Sequence, residues 1–204
     1  MCAAIANRTA PDYDPTAMST IRRARLQDAR TIARIEVETW RTTYAGMLPD
    51  RVLLRMSTER QAGSWAGFLR QRPGDVLVAQ QAQPTGDIVV GFGNCGPQRD
   101  ALLGYAGEVY TLYIAPEAQG RGFGRLLLLG LFARLVQLGH RSALVWVVRA
   151  NPARFFYERL GGKLVLHRPI PLGGAPIEAI AYGWMDLPAL LDRQARSGAD
   201  GSSS

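Results

Sequence analysis

A glycine-rich loop between a strand and a helix is the feature that most limits what this chain can fold into. The strand pattern runs from Glu108 to Ala115 and stops at Pro116, and the loop that follows reads Gln119-Gly-Arg-Gly-Phe-Gly124. An apolar helix is predicted next, from about Arg125 to Leu138. The loop departs from the Walker pattern, because no Lys-Ser/Thr pair follows the last glycine, and from the G-x-G-x-x-G dinucleotide spacing.

This loop predicts a binding site for an anion such as a phosphate group. Backbone N–H groups at the start of a helix lack partners, and the helix dipole is positive there. Glycines let the backbone approach a phosphate closely. Arg121 and Arg125 can add charge-assisted hydrogen bonds. A simple tight turn is the alternative interpretation of such a loop taken alone.

Length and composition are those of one globular domain. The chain has 204 residues, of which 47% are hydrophobic and 20% are charged, close to the average for globular proteins. Residues 1–18 and 191–204 lack a clear apolar pattern, so we expect a disordered extension and a flexible tail around a domain at 19–190. Met1 and Met18 are both candidate starts of the natural chain.

The positive charge does not indicate a nucleic-acid partner. The net charge is +7, but only Lys163 of the 24 basic residues is a lysine, and the arginines are spread along the chain without a run of five. Scattered charge of this kind is typical of a solvated surface. The longest apolar run, Leu126 to Ala133, is too short for a bilayer, so no membrane association is expected.

The two cysteines, Cys2 and Cys95, form neither a disulfide framework nor a metal-site pattern. A reducing compartment is therefore expected. The start of the chain also lacks the charged and apolar regions of a signal peptide. We expect a cytoplasmic protein that holds no metal.

The order of predicted elements indicates an α/β fold. Strand patterns occur at Ser19–Arg25, on both sides of a turn at Pro84-Thr85-Gly86, and at Ser142–Val148, whose continuous apolar run is typical of a strand covered on both faces. A loop is predicted between two last strands at Lys163–His167 and Ile177–Met185. The fold class expected is a mixed, mainly antiparallel sheet of about seven strands with helices on both faces.

Two segments together resemble the signature of the GNAT superfamily of N-acetyltransferases. The first is Val109-Tyr-Thr-Leu-Tyr-Ile114 with Pro116 and the glycine loop, and the second is Asn151-Pro-Ala-Arg-Phe-Phe-Tyr157-Glu-Arg-Leu-Gly-Gly162. The element order from Thr20 to Met185 is also similar to that family. The resemblance implies acetyl-CoA as co-substrate and direct attack by a primary amine of a small molecule or peptide. It also allows a homodimer, because members often dimerise.

The resemblance implies a cofactor role for residues in both segments. The fourth and fifth strands would splay apart for the pantetheine arm, which backbone groups of Leu112 and Ile114 would bind. An amide near Tyr113 or Ile114 would serve the oxyanion. Asn151 is either a cofactor contact or a helix N-cap. The expected cofactor contacts are Leu112, Tyr113, Ile114, Gln119, Gly120, Arg121, Gly122, Phe123, Gly124, Arg125 and Asn151.

Tyr157 and Glu108 are the candidate catalytic residues. An amine must be neutral to attack a thioester, and free alkyl amines have pKa values of about 10, so a base or a desolvated site must help. Glu108, which begins the fourth strand, is the candidate base. The alternatives are that Glu108 is a solvated carboxylate at a strand edge, and that a water chain does the work of the base. By resemblance Tyr157 protonates the leaving thiolate. The alternative for Tyr157 is packing beside Phe155 and Phe156.

The acceptor cannot be identified from the sequence. Trp40 and Tyr44 lie in the region that the family uses to shape the acceptor pocket, although packing is the alternative. Specificity is expected to reside in residues 40–70 and in the loop at 168–177. Two other functions remain open: a non-catalytic acetyl-CoA sensor or interaction module, and an enzyme that uses another acyl-CoA.

Overall fold

The computed structural model describes residues 19–72, 74–100, 104–172 and 174–200. One sheet contains β1 (Ser19–Arg23), β2 (Val76–Gln81), β3 (Ile88–Pro97), β4 (Gly107–Ile114), β5 (Ala143–Val148), β6 (Lys163–Leu172) and β7 (Ala175–Trp184). The helices are α1 (Ala29–Thr43), α2 (Asp50–Leu54), α3 (Thr58–Gln71), α4 (Phe123–Gln137), α5 (Arg154–Arg159) and α6 (Leu187–Asp200). No helix within the described ranges is long and apolar enough to cross a membrane.

The sheet has the strand order β1-β2-β3-β4-β5-β7-β6. All neighbouring strands pair antiparallel except β4 and β5, which are parallel. A parallel pair needs a crossover, and α4 supplies it between these two strands. The predicted class, a mixed and mainly antiparallel seven-stranded sheet, is therefore confirmed.

Helices cover both faces of the sheet, as two consecutive residues of β3 demonstrate. Phe92 contacts Trp65 of α3 with ring centroids 5.1 Å apart. A Cβ on Gly93 would lie only 2.7 Å from the Cδ1 of Leu131 on α4. Because successive residues of a strand face opposite sides, α3 and α4 lie on opposite faces. The glycine is required where α4 approaches the sheet this closely.

Helix α6 corrects the expectation of a flexible tail from residue 191. The helix continues to Asp200; Leu187 and Leu190 at its start are buried, and Gln194 accepts a hydrogen bond from Arg125 of α4. An apolar stripe at the start of the helix anchors it, although the polar composition further on concealed the pattern. Residues 1–18 and 201–204 lie outside the described residues, so the expected N-terminal extension stays a prediction.

The segment at 168–177, expected to be a loop, is mostly a β-hairpin. The pairing of β6 with β7 continues from Arg168 opposite Ala179 to Leu172 opposite Ala175. Pro171 suggested a loop, but it lies on β6, the edge strand of the sheet, where a residue without an N–H is tolerated. Pro176 lies on β7 beyond Ala179, the point where the pairing of β7 with β5 ends. The prediction of a loop was wrong because an edge strand can contain proline without losing a hydrogen bond to a neighbouring strand, whereas a central strand cannot.

Candidate active site

The parallel strands β4 and β5 separate after three residue pairs. Their pairing covers only Gly107–Val109 against Ala143–Val145. Beyond that point β4 continues to Ile114 and β5 to Val148 without pairing to each other. The opening implied by the family resemblance is therefore present, and its vertex lies at Val109.

A β-bulge at Tyr110 coincides with this vertex. Thr111 pairs with Asn94 and Val109 pairs with Cys95, so Tyr110 is the extra residue on β4. A bulge bends its strand and increases the local twist. The bulge therefore lies at the residue after which β4 no longer pairs with β5.

The opening exposes one edge of the backbone of β4. The N–H of Ala115 donates to the carbonyl of Val90 on β3, at 2.8 Å. Backbone groups alternate in direction along a strand, so Leu112 and Ile114 direct their N–H groups toward β5. The N–H of Tyr113 faces β3 instead, so of the two candidates for an oxyanion donor Ile114 is the one whose N–H lies on the open edge.

The side chain of Gln119 ties the loop to the end of β4. Its Nε2 donates to the carbonyl of Ile114 at 3.0 Å, and Thr39 Oγ1 donates to the same carbonyl at 3.4 Å. Phe123 is buried in the core, and the guanidinium of Arg125 is directed to Gln194. The side chains of Gln119, Phe123 and Arg125 therefore make contacts within the protein, so the backbone groups and the Arg121 side chain are the candidate ligands that this loop offers.

The glycine loop has the geometry that an anion site needs. Gly120 and Gly122 have φ angles of 79° and 81°, in the left-handed region that favours glycine. Gly122 is the N-cap of the 15-residue helix α4, and its carbonyl accepts from Leu126 N at 3.1 Å. A Cβ at Gly122 would meet nothing within 4 Å. The positive end of α4 is therefore open to a phosphate.

Asn151 and Tyr157 are both buried at the second matching segment. Asn151 Oδ1 accepts from Ala153 N at 2.9 Å, which is a local turn before α5. Tyr157 packs edge-on against Phe156, with centroids 5.1 Å apart, and Trp184, at 6.2 Å. Asn151 thus closes a local turn and is not the N-cap of α5, which is Ala153, whereas Tyr157 has the packing contacts expected of the alternative. Their functional roles stay predictions.

Glu108 is a buried carboxylate at the vertex and forms an ion pair with Arg99. Its side chain is 2% exposed, whereas that of Arg99 is 52% exposed. Oε2 accepts from the backbone N of Arg99 at 3.2 Å and from its Nε at 3.1 Å, and Oε1 accepts from Nη2. Glu108 is therefore not a solvated carboxylate at a strand edge.

A cleft of about 480 Å³ lies beside this ion pair. Arg99, Asp100 and Trp146, which no sequence pattern indicated, line it together with Glu108 and with Arg168, the first residue of the 168–177 segment expected to determine specificity. Arg99 and Glu108 are separated by a loop whose course no periodicity reveals, so no sequence signal pairs them. A larger cavity, of about 690 Å³, lies near β1 and β3 and includes none of the expected site residues.

Trp40 and Tyr44 belong to the core between α1 and the sheet. Both are buried, their ring centroids are 5.2 Å apart, and Trp40 Nε1 donates to the hydroxyl of Tyr113 at 3.0 Å. This is the packing alternative considered for the pair. Contact with an acceptor stays a prediction for both residues.

Comparisons with known proteins agree with this architecture. A model of the family described as FR47-like protein matches residues 100–169. YuaI of Bacillus subtilis (strain 168), an uncharacterized N-acetyltransferase, is 35% identical over 173 residues, covering 85% of this chain and 96% of that protein. The chain therefore belongs to the GNAT superfamily of N-acetyltransferases, as the sequence motifs indicated.

Other relatives match over shorter regions. The mycothiol acetyltransferase of Gordonia bronchialis is 34% identical over 58% of this chain and 42% of its own length. The structure of the acetyltransferase yncA from Salmonella typhimurium, solved with its cofactor acetyl-CoA, has a TM-score of 0.60 at 22% identity and covers 83% of this chain and 95% of its own. The yncA structure therefore has the same fold as this chain.

Proposed function

We propose that this chain transfers the acetyl group of acetyl-CoA to a primary amine. The observation that carries the proposal is the positive end of α4, with its two left-handed glycines, placed beside the opening between β4 and β5. The end of α4 would hold a pyrophosphate, and the opening between the strands would hold the pantetheine arm that is attached to it. The acetyl-CoA in the yncA structure supports this choice of ligand.

The backbone would position the co-substrate. The N–H groups of Gly122 and its neighbours at the start of α4 are suited to phosphate oxygens. The N–H groups of Leu112 and Ile114 lie along the open edge of β4 and suit amide and carbonyl groups of the arm. Arg121 is the loop arginine that we expect to add charge-assisted contacts. Acetyl-CoA supplies an activated acetyl group as a thioester.

The side chains of Glu108 and Tyr157 would act as the base and the acid of the reaction. Formation of the amide removes two protons from the nitrogen of a protonated amine. Glu108 takes the first, directly or through water, and passes it to solvent. Tyr157 donates a proton to the departing sulfur and is reprotonated by the second. Ile114 N–H would donate to the acetyl oxygen as it gains charge.

The test is release of free thiol from acetyl-CoA by the full chain across a broad panel of primary amines, with propionyl-CoA in a parallel series. We expect amine-dependent release that is faster with acetyl-CoA. Faster release with propionyl-CoA would favour another acyl donor. Tight binding of acetyl-CoA without turnover on any amine would favour a sensor and contradict the proposal.

A further inference from the structure

The cleft beside Glu108 spans the vertex of the two separating strands. Glu108 lies on β4 within the paired segment, opposite Leu144, and Trp146 lies one residue beyond Val145, the last paired residue of β5. An amine bound in this cleft therefore lies next to the point where the strands open. Under the proposed function, this is where an acceptor amine and the thioester must meet.

In the ion pair between Arg99 and Glu108, the guanidinium is exposed to solvent and the carboxylate is buried. The Arg99 side chain is 52% exposed and that of Glu108 only 2%. The guanidinium of Arg99 also lies 4.6 Å from the ring centroid of Tyr110, the bulge residue. Arg99 therefore contacts Glu108 and Tyr110, the two residues on either side of Val109 at the vertex.

A second ion pair in the cleft has the same polarity. Arg168 Nη2 lies 2.8 Å from Asp100 Oδ2, and the arginine side chain is 44% exposed against 25% for the aspartate. The Arg168 guanidinium lies over the ring of Trp146, 4.8 Å from its centroid. In both pairs the guanidinium is the more accessible partner, so the cleft surface favours an anionic group on the ligand.

We propose that the acceptor is a zwitterion, an amine that carries a carboxylate on the same or the next carbon. The inference rests on the proposed function and assigns its substrate class. The acceptor carboxylate binds the guanidinium of Arg99, whose planar fork suits it. Its ammonium group then lies against the carboxylate of Glu108. Because Arg99 and Glu108 are in contact, the two charged groups of the acceptor must be only a few bonds apart.

This arrangement also explains how Glu108 becomes available as a base. In the structure both of its carboxylate oxygens accept hydrogen bonds from Arg99. A carboxylate on the acceptor competes for those donors and leaves Glu108 to the ammonium group. An amine without a carboxylate leaves the ion pair intact, and we therefore expect it to be a poor substrate. Arg99 is thus a specificity-determining residue for the transfer.

The test compares acceptors that differ only in the carboxylate: amino acids, their amides and the corresponding decarboxylated amines, for several side chains. We expect kcat/KM for the amino acid to exceed that for its amide by about tenfold or more, the discrimination of one charge-assisted hydrogen bond. The amide has the less basic amine, so amine neutrality alone would favour the opposite order. Equal or better turnover of the amides would overturn the inference and leave the proposed function standing.

Two variants locate the source of the preference. Arg99→Lys keeps a charge beside Glu108 but loses the planar fork, and we expect the ratio of kcat/KM for acid over amide to fall roughly fivefold or more. Arg168→Gln removes a charge from the same cleft without touching Glu108, and it should lower this ratio clearly less than Arg99→Lys does. An equal fall of the ratio in both variants would assign the preference to overall charge and contradict the role of Arg99.

A binding measurement keeps the inference testable if turnover is absent. Amino acid and amide are each titrated calorimetrically into the protein saturated with CoA. We expect the amino acid to bind the wild type with a measurable heat and the amide to give little heat. Binding of the amino acid to Arg99→Lys should be weaker than to the wild type. Binding of the amide as tight as that of the amino acid would contradict the zwitterion. Absence of turnover with every amine would instead contradict the proposed function.

Discussion

Tyr157 lies over Tyr182, with ring centroids 6.3 Å apart and ring planes inclined by 27°. The Tyr182 hydroxyl donates to Glu158 Oε1. Burial, and then that hydrogen bond, raises the pKa of Tyr182 to about 12. The two stacked phenols share their surroundings, and only Tyr157 is assigned to the reaction. They therefore form a matched pair for mutation.

We predict that Tyr157→Phe lowers kcat by about tenfold to a thousandfold, as expected for loss of an acid or oxyanion donor. The ring and its packing remain, so the KM for acetyl-CoA should change little. Tyr182→Phe is the control and should retain kcat. Steady-state kinetics under conditions where chemistry limits the rate provide the comparison. Wild-type kcat in Tyr157→Phe would make Tyr157 a packing residue.

The pH dependence of Glu108→Gln tests the base. The amide keeps the size of the side chain but cannot take a proton, so activity should fall near neutral pH. It should recover toward about pH 10, where more of the amine is already neutral. Tyr157→Phe should not recover, because a higher pH supplies no proton to sulfur. Glu108 is not the base if the profile of Glu108→Gln between about pH 6 and 10 parallels that of the wild type.

Glu36 couples the stability of the α1–α3 contact to pH. Its carboxylate accepts from Trp65 Nε1 at 2.8 Å and from Gln61 Nε2 at 3.1 Å. Burial raises the pKa of Glu36, and the two hydrogen bonds only partly oppose this. The folded state therefore holds the proton more tightly than the unfolded state. The free energy of unfolding should fall as pH rises from about 4.3, the unfolded pKa, through the raised folded value.

We predict that Glu36→Gln removes this pH dependence and is at least as stable as the wild type above that window, because the amide oxygen can still accept from both donors. Glu38→Gln is the control, since Glu38 is a half-exposed partner of Arg34 on the same helix. Urea unfolding between about pH 4 and 8 measures the slope. A slope that Glu36→Gln leaves unchanged would assign the dependence to other groups.

Helix α6 should contribute to stability through Leu187. This side chain is fully buried, so Leu187→Ala should cost about 2–5 kcal/mol. Met185, two residues earlier, is 67% exposed, and Met185→Ala should stay within about 0.5 kcal/mol of the wild type. Equilibrium denaturation of both variants measures the difference. Equal stability of the two would show that α6 does not anchor on the fold.

The fold was largely readable from the sequence because the elements that build it have strong local signals. The glycine loop, the hairpin around Gly86 and the continuous apolar run of β5 each predict one structure. Two segments were predicted wrongly because their local composition is typical of a different structure. Prolines tolerated on the edge strand β6 suggested a loop, and the polar later part of α6 concealed the stripe that begins at Leu187.

The site was only partly readable, because its chemistry depends on contacts between segments that are distant along the chain. The glycine loop was found because spacing alone defines it. The state of Glu108 depends on Arg99, which reaches it from the β3–β4 connection, and the cleft wall comes from Trp146 and Arg168 on other strands. Such contacts depend on strand register, which the sequence does not specify.

The most direct test of the central claim is calorimetric titration of acetyl-CoA into the wild type, Gly122→Val and Gly139→Val. Both glycines have left-handed φ angles, 81° and 88°, and open space at Cβ, but they lie at opposite ends of α4. Both substitutions should therefore strain the backbone similarly. We predict that the wild type and Gly139→Val bind acetyl-CoA while Gly122→Val binds far more weakly. No binding to the wild type at millimolar acetyl-CoA, or equal binding by all three proteins, would contradict the account.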